Sequence, residues 1–129
     1  MVGLVMVSHS ASLAAGIKEL AGQMAPGVPM AAVGGTADGR LGTDAILIKQ
    51  AIEQVAHCDG VLVVVDLGSA VLSTEMALEL MAPEIKEKVQ LADGPLVEGA
   101  VAAAVEASLG KPLAVVKAAA EEAANLRKI

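Results

Sequence analysis

The sequence contains no phenylalanine, tyrosine or tryptophan. Without aromatic rings, bases and sugars have no stacking platform, which argues against nucleic-acid binders and lectins. The core has to be built from Val, Leu, Ile, Ala and Met. Cysteine is almost absent as well. Cys58 is the sole one, so no intrachain disulfide can form and a reducing compartment fits. Basic residues are scarce, with nine Lys and Arg against fifteen Asp and Glu and a formal charge of −6. That balance opposes binding to phosphate backbones and to anionic membrane surfaces. No apolar run approaches a membrane span, and the N-terminus lacks the basic region and cleavage site of a secretory signal. The expectation is a cytoplasmic protein with neither a nucleic-acid nor a membrane partner. Its 129 residues predict a single domain over 1–129, long enough to bury a core without metal or disulfide.

What is present is an alternation. Val2 to Val7 is an apolar run of the kind found in parallel strands buried on both faces. Leu13, Ile17, Leu20 and Met24 follow at helical spacing, closed by Pro26-Gly27. Val28 to Val33 reads as a weaker strand. After it comes the polar, Gly-rich stretch "GGTADGRLGTD", residues 34–44, in which Thr43 or Asp44 can cap a helix carrying Leu47, Ile48, Ala51, Ile52 and Val55. Val61 to Val65 is the clearest strand, rich in branched residues. Leu72, Met76, Leu80 and Met81 predict the next helix, with Pro83 near its end. The methionines at helical spacing are expected in the core. Residues 87–93 read as a fourth strand. Asp93 and Pro95 are expected to open a helix that runs to Gly110, and the segment from Pro112 can be helix or strand. Four strand-helix alternations predict an α/β three-layer sandwich: a mainly parallel sheet in the order 2-1-3-4, with helices on both faces.

This order sets the carboxyl ends of strands 1 and 3 side by side, where ligands bind in open α/β sheets. His9 follows the first and Asp66 ends the third. His9 can serve as a local strand-end group or as a nucleophile or ligand, and Asp66 can be a solvated carboxylate or the acceptor that fixes the imidazole tautomer. The helix after His9 opens at Ser10, and helix N-termini favour anions, phosphate above all. Gly34, Gly35, Thr36, Gly68 and Ser69 add small, donor-rich loops at the same edge. Ser10, Gly35, Thr36 and Ser69 are therefore the candidate phosphate-contacting residues, and His9 and Asp66 the candidate catalytic pair. Other chemistries fit less well. His9, His57 and Cys58 show no paired metal-ligand spacing, so no metal is expected. Neither a Walker A pattern nor a G-x-G-x-x-G fingerprint follows the first strand. Ser8 and Ser10 flank the histidine itself, which does not make a triad. His57 reads as structural and Cys58 as a small core residue.

The segments "VSHSASLAAG", "GGTADGRLGTD", "DGVLVVVDLGSA" and "LADGPLVEGA" together closely resemble the phosphocarrier subunits of phosphoenolpyruvate-dependent dihydroxyacetone kinases, within the mannose-type enzyme IIA superfamily of the phosphotransferase system. The resemblance runs from Val2 to about Leu109. It implies an EIIA-Man-like fold, a homodimer, and a phosphoryl group carried covalently on His9 with no other cofactor. It implies that His9 accepts this group from the phosphocarrier HPr, charged by enzyme I from phosphoenolpyruvate. It implies delivery to ADP held on the nucleotide-binding subunit of the kinase, for phosphorylation of dihydroxyacetone. Asp66 matches the carboxylate that orients the histidine, and Thr36 and Ser69 lie in loops that line the site. Some relatives carry further HPr-like and enzyme-I-like domains. With the sequence ending at Ile129, separate donor proteins are expected. A IIA component of a mannose-type sugar transporter and a non-catalytic phosphate-sensing module are the alternatives. "DLGSA", where transporter domains have a second Gly-rich patch, favours the kinase subunit. No Lys or Arg lies next to the candidate site residues in the sequence, so a partner is expected to supply cations.

Overall fold

The computed structural model describes residues 1–129. The elements are β1 (Val2–Ser8), α1 (Ala11–Met24), β2 (Met30–Gly34), α2 (Ala45–Gln54), β3 (Gly60–Val65), α3 (Gly68–Glu79), α4 (Pro83–Lys86), β4 (Val89–Leu91), α5 (Leu96–Ser108) and α6 (Leu113–Glu122), with a 3-10 turn at Ala123–Asn125. The four strands are all parallel, in the order β2-β1-β3-β4. The expected architecture and strand order are therefore observed.

Side chains alternate across a strand, and here both faces are covered. Val2, Leu4, Met6, Leu62 and Val64 point to one side and pack with Ile17, Ala21, Ala100, Ala103, Ala104, Ala107, Val116 and Ala120. Val5, Val7, Val61, Val63 and Val65 point to the other and pack with Ile48, Ala51, Ile52, Val55, Ala70, Ala77 and Leu78. Helices α1, α5 and α6 thus form one outer layer, and α2 and α3 the opposite one. No helix is long and apolar enough to cross a membrane.

Two helices turn a different stripe inward from the one their largest residues predict. In α1, Ala14, Ile17 and Ala21 are buried, whereas Leu13 and Leu20 are exposed and Met24 is 58% exposed. In α3, Ala70, Thr74, Ala77 and Leu78 face the sheet, whereas Leu72 and Met76 stand 64% and 59% exposed and Leu80 is exposed too. The sheet already carries bulky Val, Leu and Met side chains, so the helix face that fits closely on it is the alanine-rich one. The methionines divide accordingly: Met6 and Met81 are buried, Met24 and Met76 are not.

Three boundaries also shift. Pro83 opens α4 rather than closing α3. Only Val89–Leu91 of the predicted fourth strand pairs with β3. Asp93 does not cap α5. Pro95 precedes its first residue, and the Asp93 N–H donates to Glu121 Oε2 at 3.0 Å. The C-terminal segment is helix, α6.

Candidate active site

Strand β1 pairs β2 up to Ser8–Gly34 and β3 up to Val7–Val65. Its C-terminal end therefore lies between the other two, and the segments after all three strands emerge together. Ser8 is the last residue of β1, and Asp66 follows β3 directly, its N–H donating to Val7 O at 3.2 Å.

The Asp66 carboxylate accepts four hydrogen bonds. Oδ2 receives the Ser8 hydroxyl and the His9 N–H, both at 2.9 Å. Oδ1 receives His9 Nδ1 at 2.9 Å and the Leu67 N–H at 2.7 Å. Burial pushes the carboxyl upward, but these donors outweigh it and hold the group below the ordinary aspartate value of 3.8. An ionised carboxylate can only accept. Nδ1 must therefore carry the proton, which leaves the lone pair of a neutral ring on Nε2. That nitrogen lies 2.6 Å from Ser69 Oγ, whose hydroxyl donates to it. The His9 and Asp66 side chains are 24% and 14% exposed, so the ring is braced from behind yet reachable from solvent.

Of the six predicted site residues, the structure brings His9, Asp66 and Ser69 into direct contact. Ser10 lies beside them, but its hydroxyl caps α1 by accepting the Leu13 N–H at 3.2 Å. Gly35 and Thr36 sit in the next loop and do not hydrogen-bond to the His9–Asp66–Ser69 group. The Thr36 N–H donates to Arg40 O at 2.9 Å, its hydroxyl donates to Asp38 Oδ1 and accepts the Arg40 N–H at 3.2 Å. Its bonds all close the 36–40 turn. That loop is nonetheless docked on the site. The Gly42 N–H donates to His9 O at 2.8 Å. At Gly34 a Cβ would lie 2.5 Å from Ser10 O, so only glycine allows this close approach. Gly35 follows with a φ of +75°, a left-handed conformation that glycine adopts without strain.

Helix α3 begins on the far side of the ring, and no side chain caps its N-terminus. Its first turn carries Ser69, whose hydroxyl reaches Nε2, and its N-terminal amides are not taken up by a side-chain cap. No Lys or Arg hydrogen-bonds within this group. Arg40 pairs with Asp38 at 2.8 Å on the exposed loop. His57 is exposed and Cys58 buried, with 3.8 Å between Nε2 and Sγ. Burial pushes the Cys58 thiol up, against weaker opposite pulls from the N-terminal ammonium and Lys88. No group of three or more His, Cys, Asp or Glu side chains is gathered in a way that could hold a metal ion.

A carboxylate-braced imidazole thus stands at the end of β1. The profile of the EIIA-man family, described as PTS system fructose IIA component, matches residues 3–117. The chain belongs to the EIIA-man family. It is 52% identical over 114 residues to "PEP-dependent dihydroxyacetone kinase, phosphoryl donor subunit DhaM" of Escherichia coli (strain K12), covering 85% of this chain and 24% of that protein. The chain therefore spans about a quarter of the length of that relative. It is 43% identical to "PEP-dependent dihydroxyacetone kinase 2, phosphoryl donor subunit DhaM" of Listeria innocua serovar 6a, covering 82% of this chain and 86% of that protein. Among solved structures, the protein of unknown function EF1359 superposes with a TM-score of 0.82 at 36% identity, covering 94% of this chain and 93% of that one.

Within this EIIA-man domain, two parts of the cluster go beyond the residues that sequence reasoning singled out. One is Ser8, fully buried and bonded to Asp66. A polar residue ending a strand that is apolar on both faces is its signal, since a buried hydroxyl needs a partner. The other is the Leu67 N–H. It is a main-chain donor and leaves no trace in residue identity.

Proposed function

We propose that this domain is the phosphohistidine-carrying part of the phosphoryl donor subunit of a phosphoenolpyruvate-dependent dihydroxyacetone kinase. Nε2 of His9 attacks the phosphoryl group on the histidine of phospho-HPr. An N–P bond forms at Nε2, the N–P bond to the donor breaks, and the donor imidazole leaves with its electron pair. In the second step the terminal oxygen of ADP on the nucleotide-binding subunit attacks phosphorus. The His9 N–P bond breaks, ATP forms, and the neutral imidazole returns. Dihydroxyacetone is then phosphorylated on the kinase.

The hydrogen bond from Nδ1 to Asp66 carries this reading. It leaves the lone pair on the exposed nitrogen, and the carboxylate offsets the positive charge that the ring acquires as N–P bonding develops. Phosphoryl transfer asks mainly for positioning and charge stabilisation. The Ser69 hydroxyl, bonded to the same nitrogen, turns to the incoming phosphoryl oxygens together with the amides of α3. Ser10 and Gly35 border the same space, and Thr36 joins by releasing its bonds in the 36–40 turn. The partner supplies the cations, because the cluster holds none. A docking partner has a surface to meet: Leu67, Leu72, Met76 and Leu80 are exposed from the N-cap to the C-cap of α3, the helix that carries Ser69, and are flanked by Glu75 and Glu79. We take the working form to be a homodimer without metal or bound cofactor.

Incubation with phosphoenolpyruvate, enzyme I and HPr should add one acid-labile, base-stable phosphoryl group to each chain, and none to His9→Ala. Equal labelling of both proteins would remove His9 from the role. The family description, a fructose IIA component, favours one second reading, a IIA component of a sugar transporter. Acceptor choice separates the two. Discharge by ADP on the kinase subunits supports the donor subunit, whereas discharge only by a transporter IIB domain supports the alternative.

A further inference from the structure

We infer that Ser8 is a positioning residue that fixes which ring nitrogen of His9 reacts, by locking the orientation of the Asp66 carboxylate. This rests on the phosphocarrier reading above. Ser8 is 0% exposed at the end of a strand that is otherwise Val, Gly, Leu and Met. A hydroxyl there is costly unless both its proton and its lone pairs are used. Its proton goes to Asp66 Oδ2 at 2.9 Å, and its oxygen accepts the Ser10 N–H at 3.0 Å. The same Oδ2 accepts the His9 N–H at 2.9 Å. Residues 8, 9 and 10 are thus all tied to one carboxylate oxygen, two of them directly and Ser10 through the Ser8 hydroxyl.

The consequence lies at the other oxygen. With Oδ2 held by two donors and Oδ1 by the Leu67 N–H, one oxygen lone pair remains aimed at Nδ1. Remove the Ser8 hydroxyl, and Oδ2 keeps one donor while the Ser10 N–H loses its acceptor. The carboxylate can then tilt about its Cβ–Cγ bond. The Nδ1–H tautomer loses part of its preference, and the reactive lone pair is no longer confined to Nε2.

The experiment uses the full chain and three variants, Ser8→Ala, Ser8→Thr and Ser8→Val. Thr and Val have the same shape and differ by a hydroxyl. Two quantities are read: the ¹⁵N shifts of the His9 ring in the unphosphorylated protein, which report the tautomer, and the rate of phosphoryl uptake from phospho-HPr. Ser8→Thr should keep the Nδ1–H tautomer and the parent rate. Ser8→Ala and Ser8→Val should move the shifts toward a tautomer mixture and slow uptake about ten-fold, as groups acting through an intermediary on a working histidine do. Parent-like shifts and rates in folded Ser8→Ala or Ser8→Val overturn the inference. If Ser8→Ala does not fold, the Thr–Val comparison decides. Loss of fold in both hydroxyl-free variants, with Ser8→Thr folded, makes Ser8 purely structural and equally overturns it. If the parent protein takes up no phosphoryl group, the phosphocarrier reading fails, while the ring shifts need no donor and still decide the role of Ser8.

Discussion

Replacing Asp66 by asparagine tests the centre of the mechanism, because the change removes charge and little volume. The carboxylate accepts at both oxygens, two bonds each. An amide has one accepting oxygen and one donating NH₂. If the NH₂ group replaces Oδ2, the Ser8 hydroxyl can turn to accept from it, but the His9 N–H cannot. If it replaces Oδ1, it meets the Leu67 N–H, which cannot turn either, and His9 Nδ1, which can accept only by moving its proton to Nε2. Either orientation opposes one main-chain donor with another. The cost is about 1–3 kcal/mol for the donor left unpaired. The second orientation also puts a proton on Nε2, the nitrogen whose lone pair the proposed transfer needs.

Phosphoryl uptake should therefore fall on the order of 10²- to 10⁴-fold, the range for a histidine held in the wrong tautomer or deprived of its partner. Rapid-quench transfer from phospho-HPr measures the rate, and circular dichroism with a thermal melt confirms that the fold persists. Asp66→Ala should also be slow, though for a different reason: it abolishes the brace without forcing a tautomer. Uptake within two-fold of the parent protein in folded Asp66→Asn would refute the tautomer-lock reasoning.

Acid stability follows from the same carboxylate. Its pKa is lowered in the folded state, so its contribution is complete above the unfolded value of about 4 and is lost as pH falls through the folded value. Urea melts between pH 3 and 6 should show the parent protein losing stability toward acid, with a shallower loss in Asp66→Asn. Gly34→Ala places a Cβ 2.5 Å from Ser10 O. It should destabilise by about 1–3 kcal/mol, as overpacking does, and shift the amide resonances of Ser10 and Ala11. Gly16→Ala in α1 meets nothing within 4 Å and should stabilise by about 0.5–1 kcal/mol in the same melts. For the face that α1 buries, Ile17→Ala should cost about 2–5 kcal/mol, whereas Leu13→Ala should stay within about 0.5 kcal/mol. Equal losses at the two positions would contradict the observed packing.

That last pair marks where sequence and structure part. Leu13, Ile17, Leu20 and Met24 do lie on a helix, so the periodicity identifies the element. The same helix carries a second stripe, Ala14, Ile17 and Ala21, and the two share Ile17. Ranking by size picks the first. Packing picks the second, because a sheet face of Leu4, Met6, Leu62 and Val64 leaves room for methyl groups and not for another layer of long side chains. Helix α3 repeats the inversion with Ala70 and Ala77 inward and Leu72 and Met76 outward. In a chain without aromatic residues, side-chain size alone therefore does not tell which helix face is core.

The site is more legible because its geometry follows from strand order alone. Once β1 lies beside β3, Ser8 and Asp66, each one step beyond the paired Val7 and Val65, must be neighbours, and His9, the next residue of the first segment, comes within reach of the same carboxylate. Ser69 follows from the helix that starts at Gly68, two residues after Asp66. Thr36 shows the limit of such inference. Its loop is docked on the site through Gly34 and Gly42, yet the turn it belongs to uses its hydroxyl and its amide locally. A residue type and a loop place a group near a site. Whether it faces the reacting atom depends on competition with main-chain partners two to four residues away, and in a Gly-rich turn those partners are always within reach. The same competition runs the other way at Ser8. There the strand gives the hydroxyl no local carbonyl to bind, so its proton reaches across to Asp66 and couples the entry of α1 to the histidine between them.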